Sequence, residues 1–359
     1  MKKQYGSISA MILCSSAILS KYLIVVPEYV IKHVGNSAWL VIIGKVLISF
    51  ASFLIAAWLY KPFFPHSLSD VFSFAFGTTG KTFLNYLYTV AFIFLNALLL
   101  RLLIEALSTV MAPDAPDEYF AFFILAAVFT GAYYGIRGTS NLSIIIFPFV
   151  VFSLILICII LFPHYRLENI MPFLGKGADR ISSAILKKHF GFTEILLLFF
   201  FADHFGSYKI MKRSGILSLS VVAVLTTLFF SAYCLCIPSP ASESFFLPLY
   251  QMTRMIKASS FLQRLEPISV FIWTSFILCS LSALISLCAR LLSDNKREEK
   301  AFVPILVIIT FFVSMLPQNE VITYNIYEKM LDYVTILFPT VPVIALTVAR
   351  LKRRYKKAA

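Results

Sequence analysis

The residues of this chain best suited to bind a polar ligand are ionisable side chains that interrupt long apolar runs. Lys21 follows Ser20 in the first run, and Asp203, His204 and Gly206 interrupt a later one. An ionisable residue at the centre of a membrane costs roughly 2.5 to 3.5 kcal/mol on insertion scales, so it normally faces a partner or a wet cavity. Counting about 1.5 Å per helical residue places Lys21 and Asp203 near mid-membrane. We therefore predict that these two residues face one another across a central site.

The chemistry of such a site would suit a small zwitterion. Where a membrane helix unwinds, its free N–H groups bind a carboxylate, while carbonyls and an acidic side chain hold an ammonium group. An amino acid offers both groups. A local alternative stays open, in which carbonyls or hydroxyls cap Lys21 and Asp203 and merely stabilise helix kinks. His204 is only a weak candidate for a proton relay, because no chain of carboxylates accompanies it.

Several classes of function are excluded by what the chain lacks. It contains no phosphate-binding loop, nucleophile triad, haem motif or HExxH-like metal site, so we predict no enzyme, no cofactor and no metal. Its six cysteines lie in or beside apolar runs and are interpreted as small buried hydrophobes. The net charge of +13 is concentrated beside those runs. This position indicates contact with anionic membrane lipid and excludes nucleic acid as a partner.

The elements that position these residues are membrane helices. Apolar residues make up 59% of the chain, charged residues 14%, and the mean hydropathy is +0.85. Because one span needs about 20 mostly apolar residues, we predict an all-α membrane protein that forms a single transmembrane domain over residues 1–359. Its ten predicted helices cover residues 7–31, 38–60, 83–111, 119–135, 141–163, 191–210, 214–236, 265–292, 301–317 and 330–350.

Charges near the helix ends predict the orientation. Lysine and arginine are concentrated in every second connection, which places both termini in the cytoplasm. Arg101 and Glu105 are four residues apart and are interpreted as an ion pair within one helix. Lys45 and Glu194 lie near predicted outer ends, from which they are expected to snorkel to the interface.

The ten helices divide into five plus five. Transporters built from inverted repeats bind substrate where helices at equivalent positions of the two halves are unwound. Helix 1 carries polar interruptions at residues 14–17 and 20–22 before Pro27, and helix 6 carries one at residues 202–208. We predict that helices 1 and 6 are broken at these polar segments.

Short motifs are spread along most of the chain. They comprise a Lys-rich start, Val25-Val26-Pro27, the segment 35–40, Arg101 to Glu105, Tyr134-Gly135-Ile136, Gln263-Arg264-Leu265-Glu266 and Trp273. Together they resemble the B-subunit permease of bacterial spore germinant receptors, in the amino acid-polyamine-organocation superfamily. The resemblance implies a leucine-transporter-like inverted repeat. It also implies sensing of nutrient germinants, often amino acids, in the spore inner membrane, together with an A subunit and a lipoprotein C subunit.

The resemblance also implies that helices 1, 3, 6 and 8 line the ligand site. The expected lining residues are Ser16, Ser20, Lys21, Asn96, Asp203, His204, Gly206, Thr274 and Ser275. Ser20-Lys21-Tyr22 stands where the family has a small Gly-x-Gly-like turn. Bulkier residues narrow a pocket there, so we expect either an unusual ligand or a site that is partly filled by Lys21.

Three functions fit the sequence. The leading interpretation is a germinant-sensing receptor subunit that passes a conformational change to its partners. The alternatives are a proton- or sodium-coupled amino-acid transporter and a structural assembly subunit with an inactive pocket, since one scaffold supports both transport and sensing.

Overall fold

The computed structural model describes residues 6–186, 193–245, 247–256 and 265–358, and every regular element in these ranges is helical. Short 3₁₀ turns, including Thr193–Leu196 and Ala202–His204, connect some of the α-helices. The α-helices are α1 (Ser7–Tyr22), α2 (Val26–Val34), α3 (Ala38–Tyr60), α4 (Leu68–Met111), α5 (Asp117–Tyr133), α6 (Gly135–Ile160), α7 (Ala178–Leu186), α8 (Leu197–Phe200), α9 (Tyr208–Cys236), α10 (Pro248–Met255), α11 (Glu266–Leu292), α12 (Lys296–Ser314) and α13 (Glu320–Ala358).

Six helical stretches of the described residues are long and apolar enough to cross a bilayer. They are Val26–Phe63, Leu68–Met111, Gly135–Ile160, Tyr208–Cys236, Glu266–Leu292 and Glu320–Arg353. The prediction of an all-α, multi-pass membrane protein is therefore confirmed.

The first predicted helix is interrupted later than its polar residues suggest. Residues 14–22 form continuous helix, so the prediction that the helix is broken at the polar segments 14–17 and 20–22 is wrong. The interruption lies at residues 23–25. Serine hydroxyls fit inside the helix because they find local partners, as when Ser20 Oγ donates to the Ala17 carbonyl at 2.8 Å. Pro27, in the first turn of α2, has no N–H to donate to Leu23, which ends regular helix at that point.

The second interruption separates α8 from α9. The 3₁₀ turn Ala202–His204 and extended Phe205 follow α8, and α9 then begins at Tyr208, capped by Ser207 Oγ, which accepts from the Ile210 N–H at 3.3 Å. The predicted gap at residues 211–213 is wrong, since α9 is continuous there. Lys212 and Arg213 give this segment the low hydropathy that is typical of a loop, but lysine and arginine both have a high helix propensity. The predicted start at residue 191 lies outside the described residues.

Two helices are longer than their hydropathy predicts. α4 begins at Leu68 rather than residue 83, with a capping box from Ser67 and Asp70 and a kink at Gly77, whose φ of 79° suits glycine. α13 runs from Glu320 to Ala358 rather than over 330–350. Hydropathy detects only the apolar part of a helix, so extensions carrying polar residues escape it.

α1 occupies the centre of the bundle. It packs against α6, α9 and α11, and α4 packs against α11 and α13. Every residue from Ile12 to Tyr22 is buried, which is typical of a helix surrounded by other helices. The polar residues near its end therefore face protein on all sides.

Candidate functional site

A small cavity of about 40 Å³ lies in the bundle centre, beside the end of α1. Its walls come from α1, α4, α8, α11, α13 and the 3₁₀ turn Thr193–Leu196. Its polar lining includes Ser20, Lys21, Asn96, Glu194 and Ser280, and most other lining residues are aromatic or leucine. A few well-placed polar groups in an apolar enclosure are typical of a small-molecule site.

Lys21 pairs with Glu194 in the wall of this cavity. Lys21 Nζ lies 2.6 Å from Glu194 Oε1, and the exposed fractions of the two side chains are 4% and 19%. The predicted pairing of Lys21 with Asp203 is therefore wrong, and so is the expectation that Glu194 snorkels to the interface. The turn that carries Glu194 contacts α1 directly, which brings the carboxylate to Lys21.

Two further charges lie near this pair. Lys45 of α3 is fully buried, contrary to the expectation that it snorkels, and interacts electrostatically with Lys21 and with Asp332 of α13. The formal charges of Lys21 and Glu194 compensate one another directly, which matters because an uncompensated buried charge is strongly destabilising.

Asn96 is the least satisfied polar residue of the cavity. It is 1% exposed, and among the described residues neither its amide nitrogen nor its oxygen has a hydrogen-bond partner; Glu194 Oε2 also lacks one. An unsatisfied buried polar group costs about 1 to 3 kcal/mol, so most such groups in folded proteins are paired. A bound ligand or water would supply the missing partners.

A layer of aromatic rings closes one side of the cavity. The ring of Phe200 lies 5.3 Å from that of Tyr88 and 6.2 Å from that of Phe72, and Tyr88 stacks on Phe338 at 5.2 Å. Phe200 lines both the cavity and a second, larger space beyond it. The Phe200 ring therefore lies between the two spaces, and we call it, together with the neighbouring rings of Phe72, Tyr88 and Phe338, the aromatic layer.

The larger space is an open vestibule of about 1270 Å³ where α11 ends and α12 begins. We call this end of the bundle the basic end because five cationic residues line the vestibule: Lys81, Arg137, Arg290, Lys296 and Lys300. Asp203 lies here, 2.8 Å from Arg290 and 3.2 Å from His204 Nδ1. Since Arg290 precedes the last residue of α11 by only two positions, Asp203 lies near the basic end rather than at mid-bundle.

The sequence model of the family described as "Spore germination protein" matches residues 6–322. The chain belongs to this family. Spore germination protein XB of Bacillus anthracis is 20% identical over 321 residues, which cover 88% of each protein. Spore germination protein A2 of Bacillus subtilis (strain 168) is 23% identical over 243 residues, or 64% of each.

The fold of this spore germination protein is similar to that of solved leucine-transporter-fold structures. A substrate-bound, outward-open Na⁺-coupled sialic acid symporter has a TM-score of 0.65 at 13% identity, covering 97% of this chain and 89% of that one. The structure of MhsT in complex with L-phenylalanine has a TM-score of 0.62 at 13% sequence identity, and the match covers 98% of this chain and 89% of MhsT. The structure of Mhp1, a nucleobase-cation-symport-1 family transporter, has a TM-score of 0.60 at 11% sequence identity, and the match covers 94% of this chain and 78% of Mhp1. Family and neighbours together point to a non-enzymatic receptor or transporter.

The structure places five of the nine expected site residues in the two spaces described above. Ser20, Lys21 and Asn96 line the cavity. Asp203 and His204 line the vestibule. Neither space is lined by the remaining four, which are Ser16, Gly206, Thr274 and Ser275.

Sequence reasoning missed several cavity residues of this spore germination protein. On α11, Ser280 and Leu284 line the cavity, about one and a half to three turns beyond Thr274 and Ser275. α13 contributes Tyr327 and Leu331. A single acidic residue beside an apolar run was the available signal for Glu194, but only the path of the turn shows which way it faces.

The ion pair expected within α4 is present and belongs to a wider network. Arg101 Nε lies 2.7 Å from Glu105 Oε1, and Arg101 also reaches Asp117 of α5 at 2.9 Å. Thr323 of α13 donates to Glu105 at 3.1 Å. The network joins three helices outside the cavity and is structural in character.

Proposed function

We propose that this spore germination protein is the nutrient-sensing integral membrane subunit of a germination receptor and binds a small germinant, expected to be an amino acid, in the central cavity. One observation carries the proposal: a buried cavity in the bundle centre holds an ion pair and an asparagine whose polar atoms lack partners. Family membership supports the role in germination, and the leucine-transporter fold supports binding of a small molecule between helices.

The binding event would act through a population shift. A ligand that contacts Lys21 on α1 and Asn96 on α4 together favours the conformation in which those helices enclose it. The interruptions at residues 23–25 and 201–207 lie close to the cavity and are the natural places for the backbone to bend. The resulting change would pass to the A subunit and the lipoprotein C subunit.

We further propose a topology of ten spans in a five-plus-five repeat. α1 with α2 forms the first span, the turn Thr193–Leu196 with α8 the sixth, and the other spans are α3, α4, α5, α6, α9, α11, α12 and α13. The interruption at residues 23–25 then lies within the first span, between α1 and α2, whereas residues 201–207 connect the sixth span to α9. Cations are enriched on the cytoplasmic side of membrane proteins, so the basic end faces the cytoplasm and both termini lie there. The membrane is the inner membrane of the spore.

A proton- or sodium-coupled amino-acid transporter is the second candidate. Two of the fold neighbours are named as a Na⁺-coupled symporter and a cation-symport transporter. In addition, Phe200 of the aromatic layer lines both the cavity and the vestibule, and a path through the membrane would join these two spaces. Alternating access would then use the same cavity.

Ligand binding is tested with the purified protein by thermal unfolding in the presence of each standard amino acid. A ligand selective for the folded state raises the unfolding midpoint. We expect at least one amino acid to do so, and Asn96→Leu to abolish the rise. Asn85→Leu is the matched control, because Asn85 lies on the same helix but is paired with Ser69 and the Leu291 carbonyl outside the cavity.

Two further measurements separate receptor from transporter. Spores carrying Asn96→Leu should fail to germinate with that amino acid, while liposomes containing the protein alone should not accumulate it. Accumulation in liposomes would favour the transporter. A midpoint rise that persists in Asn96→Leu would refute ligand binding in this cavity.

A further inference from the structure

We infer that Lys21 and Glu194 are the specificity-determining residues of the cavity, and that they select a small ligand with one carboxylate, one ammonium group and no net charge. Granted the proposed function of the cavity, on which this inference rests, the carboxylate binds Lys21 and the ammonium binds Glu194. The ligand is thus recognised by two side chains of opposite charge, whose Nζ and Oε1 atoms lie 2.6 Å apart.

The ion pair leaves capacity for a second partner. Glu194 uses only Oε1 on Lys21, and Oε2 has no hydrogen-bond partner among the described residues. Lys21 carries three N–H donors on a flexible stem, so it can bind a ligand carboxylate without moving far from Glu194. A zwitterion fits between or beside these groups with each of its charges opposite a charge of the protein.

Charge balance argues against ligands with a net charge. Lys21 and Glu194 contribute one positive and one negative formal charge to the cavity wall. A buried charge is stable only when it is paired, so a ligand with a single charge leaves one charge uncompensated. A zwitterion adds one charge of each sign and preserves the balance.

Asn96 supplies the third contact. Its side chain is buried and offers both a donor and an acceptor, neither of which has a partner in the part of the chain that the structure describes. An amide therefore serves either end of a zwitterion, donating to a carboxylate or accepting from an ammonium group.

The remaining walls limit ligand size. Aromatic rings and leucines, among them Phe92, Leu95 and Phe200, form most of the remaining wall, and the cavity of about 40 Å³ has room for about three water molecules, which favours a ligand with a short apolar side chain. L-alanine is accordingly the zwitterionic probe. Ethylamine and propionate are its counterparts with the carboxylate or the ammonium group removed.

The experiment measures the affinity of the purified full-length protein for these three probes by calorimetry, checked by thermal unfolding. We expect the wild type to bind L-alanine at least tenfold more tightly than ethylamine or propionate, and to reject L-lysine and L-glutamate. Lys21→Met should reverse the preference toward ethylamine, because Glu194 then lacks its cation. Glu194→Gln should reverse it toward propionate.

A second lysine–glutamate pair provides the matched control. Lys32 and Glu28 are four residues apart on α2 and form an ion pair that does not line the cavity. Lys32→Met and Glu28→Gln should leave the order of the three affinities unchanged.

The outcomes separate this inference from the proposed function. Equal affinity of the wild type for L-alanine, ethylamine and propionate would overturn the inference and leave the cavity as a binding site, provided that Asn96→Leu abolishes binding. Absence of binding by every probe and every amino acid would overturn both. If either charge variant fails to fold, the double variant Lys21→Met with Glu194→Leu replaces it, because it leaves neither charge unpaired; it should lose the preference for L-alanine, and an unchanged preference would overturn the inference.

Discussion

Phe200→Ala should open the central cavity to the vestibule at the basic end. The Phe200 ring is buried, lines both spaces and packs against the rings of Tyr88 and Phe72. Each aromatic pair contributes about 0.5 to 1.5 kcal/mol beyond its buried area. Loss of two pairs lowers the cost of opening by about 1 to 3 kcal/mol, or roughly 5- to 150-fold in the population of the open state.

A cysteine placed in the cavity reports this opening. In a Ser20→Cys background, a membrane-impermeant thiol reagent should modify the new cysteine about 5- to 150-fold faster after Phe200→Ala, as measured by mass spectrometry. The six native cysteines are buried and serve as internal references. Phe201→Ala is the control, because Phe201 lines the vestibule but not the cavity. Equal acceleration by both alanine variants, or by neither, would show that the aromatic layer is not the barrier.

Three stability predictions follow from the same contacts. Glu194→Gln should destabilise the protein by about 3 to 5 kcal/mol, because Lys21 then stays buried without its counter-charge. The double variant Lys21→Met with Glu194→Leu should recover most of this stability, as measured by denaturant unfolding. Asn96→Leu should leave the ligand-free protein at least as stable as the wild type, since it removes two unsatisfied polar atoms; a lower unfolding midpoint would indicate that Asn96 has a structural partner. Gly77→Ala should cost about 1 to 3 kcal/mol through the backbone conformation alone (φ 79°, ψ −177°), because nothing lies within 4 Å of the added Cβ; an unchanged midpoint would contradict the strained conformation.

Some local features could be predicted from single residues. The spacing of Arg101 and Glu105 places both on one helix face, and the structure shows their ion pair. Lys21 and Asn96 stand out as polar residues within apolar runs, and both line the cavity. Such residues can be recognised in the sequence as candidate site residues, because lipid and a packed core both disfavour polar groups without a partner.

The positions of the helix interruptions were harder to predict. Ser15, Ser16 and Ser20 suggested an unwound segment, yet α1 continues through them; Ser15 and Ser20 show why, since their hydroxyls bond Ser218 and the Ala17 carbonyl. Hydropathy counts a serine as polar whether or not it finds such a partner. Proline acts through its missing N–H, which no neighbour can restore, and the interruption accordingly precedes Pro27.

By itself the sequence determined that this protein is an all-α membrane protein, because the length of an apolar run and the loss of backbone hydrogen bonding in lipid leave few other structures. The tertiary structure decided which charges meet. Lys21 pairs with Glu194 rather than Asp203, which pairs with Arg290 at the basic end. Residues 193–207 follow short turns instead of one helix, so a count of residues per turn cannot predict where their side chains lie.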